Sequence, residues 1–213
     1  MTPARELVRR VTRRRALPFC PELTLALADE PLAPWLAAEA ASGQREEPPF
    51  WAHAWPGGLA LARFVLDAPD LVKGKQVLDF ASGCGVSAVA AAKAGARAVV
   101  AAEIDPFALA AIEENAELNG AQLELRAGDL IGLDEGWEVV LVGDVFYQAQ
   151  LSVRLERWLA TLAARGASIF IGDPGRTFLP VPRLRCAASY EILAVPAWDS
   201  VLDRPARVWQ LEA

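Results

Sequence analysis

The sequence predicts an α/β fold, a doubly wound and mostly parallel sheet with helices on both faces, and three observations carry that expectation. Five short apolar runs, QVLDF, AVVAAEI, QLELRA, EVVLVGD and ASIFIGD, have the length and character of buried strands. Helix-length segments separate them, so that strand, SGCGVSAVAAAKAG, strand, PFALAAIEENAELNG, strand is the alternation that builds parallel βαβ units. A glycine-spaced turn opens the first of these helices. Gly83, Gly85 and Ala88 satisfy G-x-G-x-x-G/A directly after VLDF, and a carboxylate, Glu103, follows roughly 20 residues on.

In chain order, RELVRRVTRRR (5–15) reads as an arginine-rich first helix; Glu6 and the lack of a small-residue cleavage site argue against a transit peptide, and an anion-binding arm is the other alternative. ELTLALAD (22–29) alternates as an edge strand does, and PLAPWLAAEAASG (31–43) is a short helix stopped by Gly43. QREEPP is a polar linker, and GGLALARFVLD (57–67) is an apolar helix. The five core strands follow, and EILAVPAW (191–198) and ARVWQLEA (206–213) are two closing strands. One domain over 1–213, with 1–50 as an N-terminal helix and strand extension, is the expected organisation.

Composition narrows the function classes. A chain of 213 residues buries a core that needs neither disulfide nor metal. No uncharged apolar run approaches the ~18 to 20 residues of a membrane span, so no membrane association is expected. Cys20, Cys84 and Cys186 are scattered and odd in number, which suits a reducing cytosol and suggests neither a disulfide framework nor a zinc site. His53 is the only histidine, which leaves transition-metal sites short of ligands and removes Ser-His-Asp catalysis unless that residue serves; a packed ring is its plainer reading. Six arginines against Glu6 give residues 1–15 a net +5, and with −6 for the whole chain the remainder carries −11. An acidic body repels phosphate backbones and attracts lysine-rich partners, which argues against a nucleic-acid substrate and for a basic protein.

Ligands of doubly wound sheets sit beyond the carboxyl ends of the strands, and there this chain places acids: Asp79, Glu103, Asp129, Asp144 and Asp173. Each alone is a common helix cap or turn former, but five together suggest a site. They also discriminate between nucleotides. A dinucleotide brings two negative phosphates beside Asp79, whereas S-adenosylmethionine carries no phosphate and offers a sulfonium and an ammonium. The expected assignment is the methyl donor, with the glycines admitting its methionine part, Glu103 accepting from both ribose hydroxyls and Asp129 from the adenine amino group.

The runs PPFWAHAWPGG (48–58), VLDFASGCG, EIDPFA, GDL, GDVFY, GDPGR and the terminal RVW are similar to those of the seven-strand protein-lysine methyltransferases that modify electron-transfer flavoprotein β-subunits. The resemblance runs from about residue 21 to the end, and its most specific parts are WPGG and the D-x-x-Y of Asp144 and Tyr147. It implies a Rossmann-like seven-strand methyltransferase sheet, lysine methylation of that flavoprotein subunit with a ribosomal protein as the second candidate substrate, and a monomer in the bacterial cytoplasm, or in the mitochondrial matrix if the source is eukaryotic. It also implies that Asp144 and Tyr147 border the target amine and that Trp55 lies near the cofactor. Ala81, Gly83, Gly85, Ile104 and Leu130 join Asp79, Glu103 and Asp129 on the cofactor side. Ala81 departs from the pattern, since many seven-strand enzymes have the first glycine of the loop there.

The chemistry explains why such residues are needed. A free lysine has a pKa of ~10.4, so about one in 2,500 is an amine at pH 7. Asp144 attracts the ammonium but raises its pKa, while a sulfonium ~4 Å away repels it by about 4 kcal/mol at an effective dielectric of ~20, which offsets that rise. Deprotonation to water then needs no dedicated base, and in-line positioning supplies most of the rate. Plainer readings remain for several positions: Trp51 and Trp158 as packing, WPGG as a type II turn, and DPG (173–175) as a structural turn. The alternatives in function are a nicotinamide-type small-amine methyltransferase, a nicotinamide oxidoreductase, a nucleic-acid amino-methyltransferase, disfavoured because DVFY replaces N-P-P-Y, and a non-catalytic cofactor-binding protein.

Overall fold

The computed structural model describes residues 2–30, 32–192 and 205–212. The chain begins with α1 (Pro3–Val11), β1 (Arg13–Ala16), β2 (Thr24–Leu27) and α2 (Leu32–Ser42). It continues with α3 (Pro56–Asp67), β3 (Gln76–Phe80), α4 (Val86–Lys93), β4 (Ala98–Glu103), α5 (Pro106–Asn119), β5 (Glu124–Ala127) and β6 (Val139–Gly143). The last elements are α6 (Ala149–Ala164), β7 (Ser168–Asp173), β8 (Leu184–Tyr190) and β9 (Ala206–Leu211).

Seven strands form one sheet in the order β5-β4-β3-β6-β7-β9-β8. The first five are parallel, and β9 inserts antiparallel between β7 and β8. The order reverses between β3 and β6, so the crevice beyond their carboxyl ends is the ligand position that this topology provides. Alternation along the strands divides the core. Val77, Leu141 and Phe170 face α3 and α4, with Leu61 and Val65 packed on them. Leu78, Val140 and Ile169 face the other way, against Trp158, Leu159 and Leu162 of α6. Each such side chain, removed from water entirely, contributes about 1.5–3 kcal/mol.

Trp51 and Trp158 are packing residues. Trp51 is buried against Phe107, and Trp158 packs on Phe80 while its indole N–H donates to the Leu133 carbonyl at 2.7 Å. His53 is also buried, and desolvation followed by the Arg15 charge pushes its pKa down to about 4, so it is neutral at pH 7.

The N-terminal arm differs in part from the helix expected over residues 5–15. Thr12 ends α1 by donating its backbone N–H and its hydroxyl to the Val8 carbonyl at 3.0 and 2.7 Å, and Arg13–Ala16 then pairs antiparallel with Thr24–Leu27. A continued helix would set Arg13 and Arg14 one turn above Arg9 and Arg10, a like-charge stack. As a strand, Arg13 and Arg15 project to one side and both reach Asp29. Arg5 and Arg9 instead bind the buried Glu114 of α5 at 3.0 and 2.6 Å, which fastens α1 to the body.

ELTLALAD is an edge strand of this small two-stranded sheet rather than of the main one. The expected strand EILAVPAW begins at Glu191 and Ile192, which carry no strand assignment, and its residues 193–198 lie outside the described residues. The strand preceding it in the structure is Leu184–Tyr190, whose mixed exposure hides the period-2 signal.

Candidate active site

Strand β3 delivers Asp79 to the switch point with its side chain buried. Its Oδ2 accepts from the Ser82 hydroxyl at 2.5 Å and from the Ala88 N–H at 3.0 Å, so the carboxylate caps the first turn of α4. Burial outweighs those bonds and raises its pKa to about 7. The chain between Asp79 and α4 turns through left-handed conformations at Ala81 (φ 53°), Gly83 (φ 56°) and Gly85 (φ 79°). Gly85 is the α4 N-cap, where a Cβ would press on Ile112 at 3.2 Å, while a Cβ on Gly83 would meet nothing within 4 Å. Ala81 adopts by strain what glycine adopts readily, which accounts for the glycine of related loops.

The neighbouring strand ends supply the rest of this side. Glu103, the last residue of β4, accepts the Gly83 N–H at 3.0 Å on Oε2 and the Ile104 N–H at 2.7 Å on Oε1. Its carboxylate is therefore locked beside the glycine turn, and Ile104 beyond it is 74% exposed. Asp129 follows β5 but points elsewhere: its Oδ2 pairs with Arg154 at 2.8 Å in an exposed ion pair, and Oδ1 accepts the Ile131 N–H at 2.9 Å. Leu130 is buried in the core under α6.

Asp144 follows β6 and is held at φ 59°, a left-handed conformation that Asp tolerates better than most side chains. Its buried carboxylate divides its oxygens. Oδ2 accepts the Gly58 N–H at 3.1 Å, and Oδ1 accepts from Arg176 Nε at 3.1 Å and Nη2 at 2.7 Å. Burial raises its pKa and the Arg176 charge opposes the rise.

WPGG is not a type II turn. Pro56 is the first residue of α3 with Trp55 as N-cap, and the two glycines lie in the first helical turn. Both positions are crowded: a Cβ on Gly57 would stand 2.1 Å from the Gly172 carbonyl oxygen, and one on Gly58 would stand 3.0 Å from Val86 Cγ1, while a Cβ on Gly143 would stand 3.2 Å from the Gly58 backbone. The helix N-terminus thus aims at Asp144, which caps it from another strand.

Aromatic rings rim this side. Trp55 lies under the Arg176 guanidinium at 5.7 Å and its N–H donates to the Phe50 carbonyl at 2.7 Å. Phe50 contacts both Trp55 and Tyr147, at 5.8 and 6.0 Å between ring centres. Tyr147 is exposed, and its phenol pKa is raised, first by desolvation and then by Glu103. The DPG segment is a turn: Asp173 Oδ1 accepts the Gly175 and Arg176 N–H groups, each at 2.6 Å. Desolvation, ahead of the Asp144 charge, raises the Asp173 pKa to about 6.

One open cleft unites these parts. Trp55, Asp79, Ala81, Gly83 and Asp144 line it together with Gly58, Ser82, Cys84 and Ser87. Gly85 and Glu103 support the lining from behind, whereas Ile104, Asp129, Leu130 and Tyr147 do not line it. The five acids are not one ring: Asp79 feels Glu103, Asp173 feels Asp144, and Asp129 stands apart with Arg154. Cys84 is no nucleophile, because burial pushes its thiol up to about 12. Sequence reading missed Arg176, Gly58 and Ser82 as members. The GDPGR run contains the arginine, but only the Asp173 turn brings it back onto Asp144.

Residues 61–144 match the family model "Ribosomal protein L11 methyltransferase (PrmA)". The electron transfer flavoprotein beta subunit lysine methyltransferase of Danio rerio is 47% identical over 131 residues, which cover 60% of this chain and 51% of that protein. The Xenopus laevis protein of the same name is 46% identical over 141 residues, 64% of this chain and 57% of that one. The chain therefore spans little more than half the length of these curated relatives. Among solved structures, a putative RNA methyltransferase from Pyrococcus horikoshii superposes with a TM-score of 0.56 at 17% identity, over 82% of this chain and 95% of that one. The sheet thus shares its Rossmann-like fold with that solved structure, and the likeness to the electron transfer flavoprotein beta subunit lysine methyltransferases covers 60–64% of this chain.

Proposed function

We propose that this chain transfers methyl groups from S-adenosylmethionine to lysine side chains of a protein, with the electron-transfer flavoprotein β-subunit as the leading substrate and a ribosomal protein as a second. The observation that carries this reading is the shared cleft, in which the glycine turn and Asp79 face Trp55 and Asp144. The relatives named above act on that flavoprotein subunit by name, and the family model is named for a ribosomal protein.

The residues present suit the donor. Gly83 leaves open space at its α-carbon, Glu103 is locked where two ribose hydroxyls can donate to it, and the acids at the cleft match a cation. When bound, S-adenosylmethionine supplies an electrophilic methyl group on a positively charged sulfur. Gly83, Gly85, Ala81 and Asp79 would hold its methionine part, Glu103 its ribose, and Ile104, Asp129 and Leu130 the region of its adenine. For Asp129 this requires sharing the carboxylate with Arg154, and for Leu130 a backbone rather than a side-chain role.

On the acceptor side, Asp144 orients a lysine nitrogen and Trp55 offers it an aromatic face. The proton leaves to water through the open mouth. Protein rather than a small amine is the favoured acceptor because Phe50 and Tyr147, 38 and 44% exposed, extend outward from Trp55 at this mouth as an apolar rim that suits a folded partner. The proposal takes residues 1–213 as one monomeric domain, with 1–50 as its extension, working in a bacterial cytoplasm.

The test supplies labelled methyl donor to the protein with folded flavoprotein, ribosomal protein or nicotinamide, and maps the label by mass spectrometry. Methyl-lysine on the flavoprotein is the expected result. Comparable turnover of nicotinamide would replace this reading with the small-amine alternative.

A further inference from the structure

Asp144 offers two oxygens, and both are engaged. Oδ2 serves the α3 N-terminus through Gly58, so Oδ1 is the oxygen on which a cation sits, and there Arg176 places both Nε and Nη2. The same guanidinium lies over the Trp55 ring, and its side chain is largely buried. A carboxylate oxygen on one side and an indole face on the other are what a lysine ammonium also requires. The two cations cannot share one oxygen and one ring.

The geometry points to Arg176 as a specificity-determining residue that holds the acceptor seat with a resident cation, which a lysine must displace. The inference rests on the reading of Asp144 as the acceptor carboxylate. Arg176 is suited to withdrawal because its backbone is fixed independently. Its N–H and that of Gly175 are held by Asp173 Oδ1, so the side chain can swing away while the turn stays in place. Displacement exchanges one charged pair for another and leaves no buried carboxylate uncompensated. A free amine has only its own contact with Asp144 to set against the arginine's two, whereas a lysine on a docked protein arrives with the contacts of its whole surface. The resident arginine therefore rejects small amines and admits protein-borne ones.

The experiment uses the full chain saturated with S-adenosylhomocysteine and n-butylammonium as a lysine side-chain mimic, with affinity read by calorimetry. Arg176→Ala is expected to bind n-butylammonium at least tenfold more tightly than the wild type, and Asp144→Asn added to it to abolish the gain. Arg176→Gln, which keeps a hydrogen-bond donor for Asp144 without the charge, carries the same comparison if the alanine variant melts. Equal affinity in wild type and variants, or a gain that survives Asp144→Asn, overturns the inference, because a merely structural arginine would give no tighter binding when removed. Failure of the lysine-methylation reading appears separately, as absence of label on any protein lysine by the wild type, and leaves this binding comparison intact.

Discussion

Gly57 and Gly172 touch backbone to backbone, such that a methyl on either would overlap the other's carbonyl oxygen at about 2 Å. The contact seats the N-terminus of α3 on the end of β7 and places the Gly58 N–H on Asp144. No side-chain movement relieves an overlap with backbone. Gly57→Ala is expected to destabilise the protein by about 3 kcal/mol or more, at the upper end of overpacking, which for this chain length is a melting-temperature loss of roughly 6–12 °C. A variant melting within ~2 °C of the wild type would show that α3 can slide off β7.

Ala81 is the reverse case, since its left-handed φ of 53° imposes a penalty of about 1–2 kcal/mol on an L-residue, and glycine gives back roughly 0.5–1 kcal/mol in chain entropy. Ala81→Gly should therefore raise stability by about 0.5–1 kcal/mol in urea titration, with donor affinity unchanged or improved. A loss of stability would mean that the Ala81 methyl contributes packing that outweighs its strain.

The buried Asp79 makes stability depend on pH. Its folded pKa of about 7 lies above the ~3.9 of an unfolded chain, so the native state holds the proton more tightly. That contribution is complete below about pH 4 and is lost as pH rises through about 7. The melting temperature of Asp79→Asn should gain on the wild type across that interval and then level off. Using the difference removes His53, whose lowered pKa acts in the opposite sense in both proteins. Parallel profiles would assign the pH dependence to other groups. The same variant should bind the methyl donor more weakly.

Glu103 and Asp129 end adjacent strands but stand differently, one locked on the Gly83 N–H and the other paired with Arg154 away from the cleft. Glu103→Ala is expected to weaken S-adenosylhomocysteine binding by more than tenfold, as charge-assisted hydrogen bonds are worth about 1.5–3 kcal/mol each. Asp129→Ala should change it by less than about threefold. Calorimetry on both variants decides, and equal losses would show that Asp129 gives up Arg154 to hold the adenine as firmly as Glu103 holds the ribose.

Asp144→Asn preserves a left-handed-tolerant residue and a carbonyl for Gly58 while removing the charge. Methyl transfer is expected to fall by about 10² or more through lost positioning, with cofactor affinity within a few-fold of wild type. Tyr147→Phe should cost only about 0.5–1.5 kcal/mol, the worth of one hydroxyl hydrogen bond to the acceptor, since the ring still packs on Phe50. Single-turnover methylation beside calorimetry separates the two quantities, and parallel losses at Asp144 would assign it to the cofactor pocket.

Local sequence determined what depends on neighbours in the chain. The five core strands and the glycine turn after VLDF rest on periodicity and on backbone geometry that a few residues specify, and they are legible without coordinates. Asp79, Glu103 and Asp144 were legible as site candidates because a strand end is a place that can be named from sequence.

The tertiary structure decided what depends on residues distant in the chain. Whether Asp129 faces the cleft or Arg154, and whether Arg13–Ala16 is helix or strand, turns on partners 8 to 25 residues away that no local pattern encodes. WPGG reads as a turn until Gly172 and Asp144 are known to lie against it, 115 and 86 residues further on. Arg176 carries no motif of its own. Its charge acquires meaning only because the sheet brings the ends of β6 and β7 side by side, where burial makes one carboxylate oxygen a seat for a single cation.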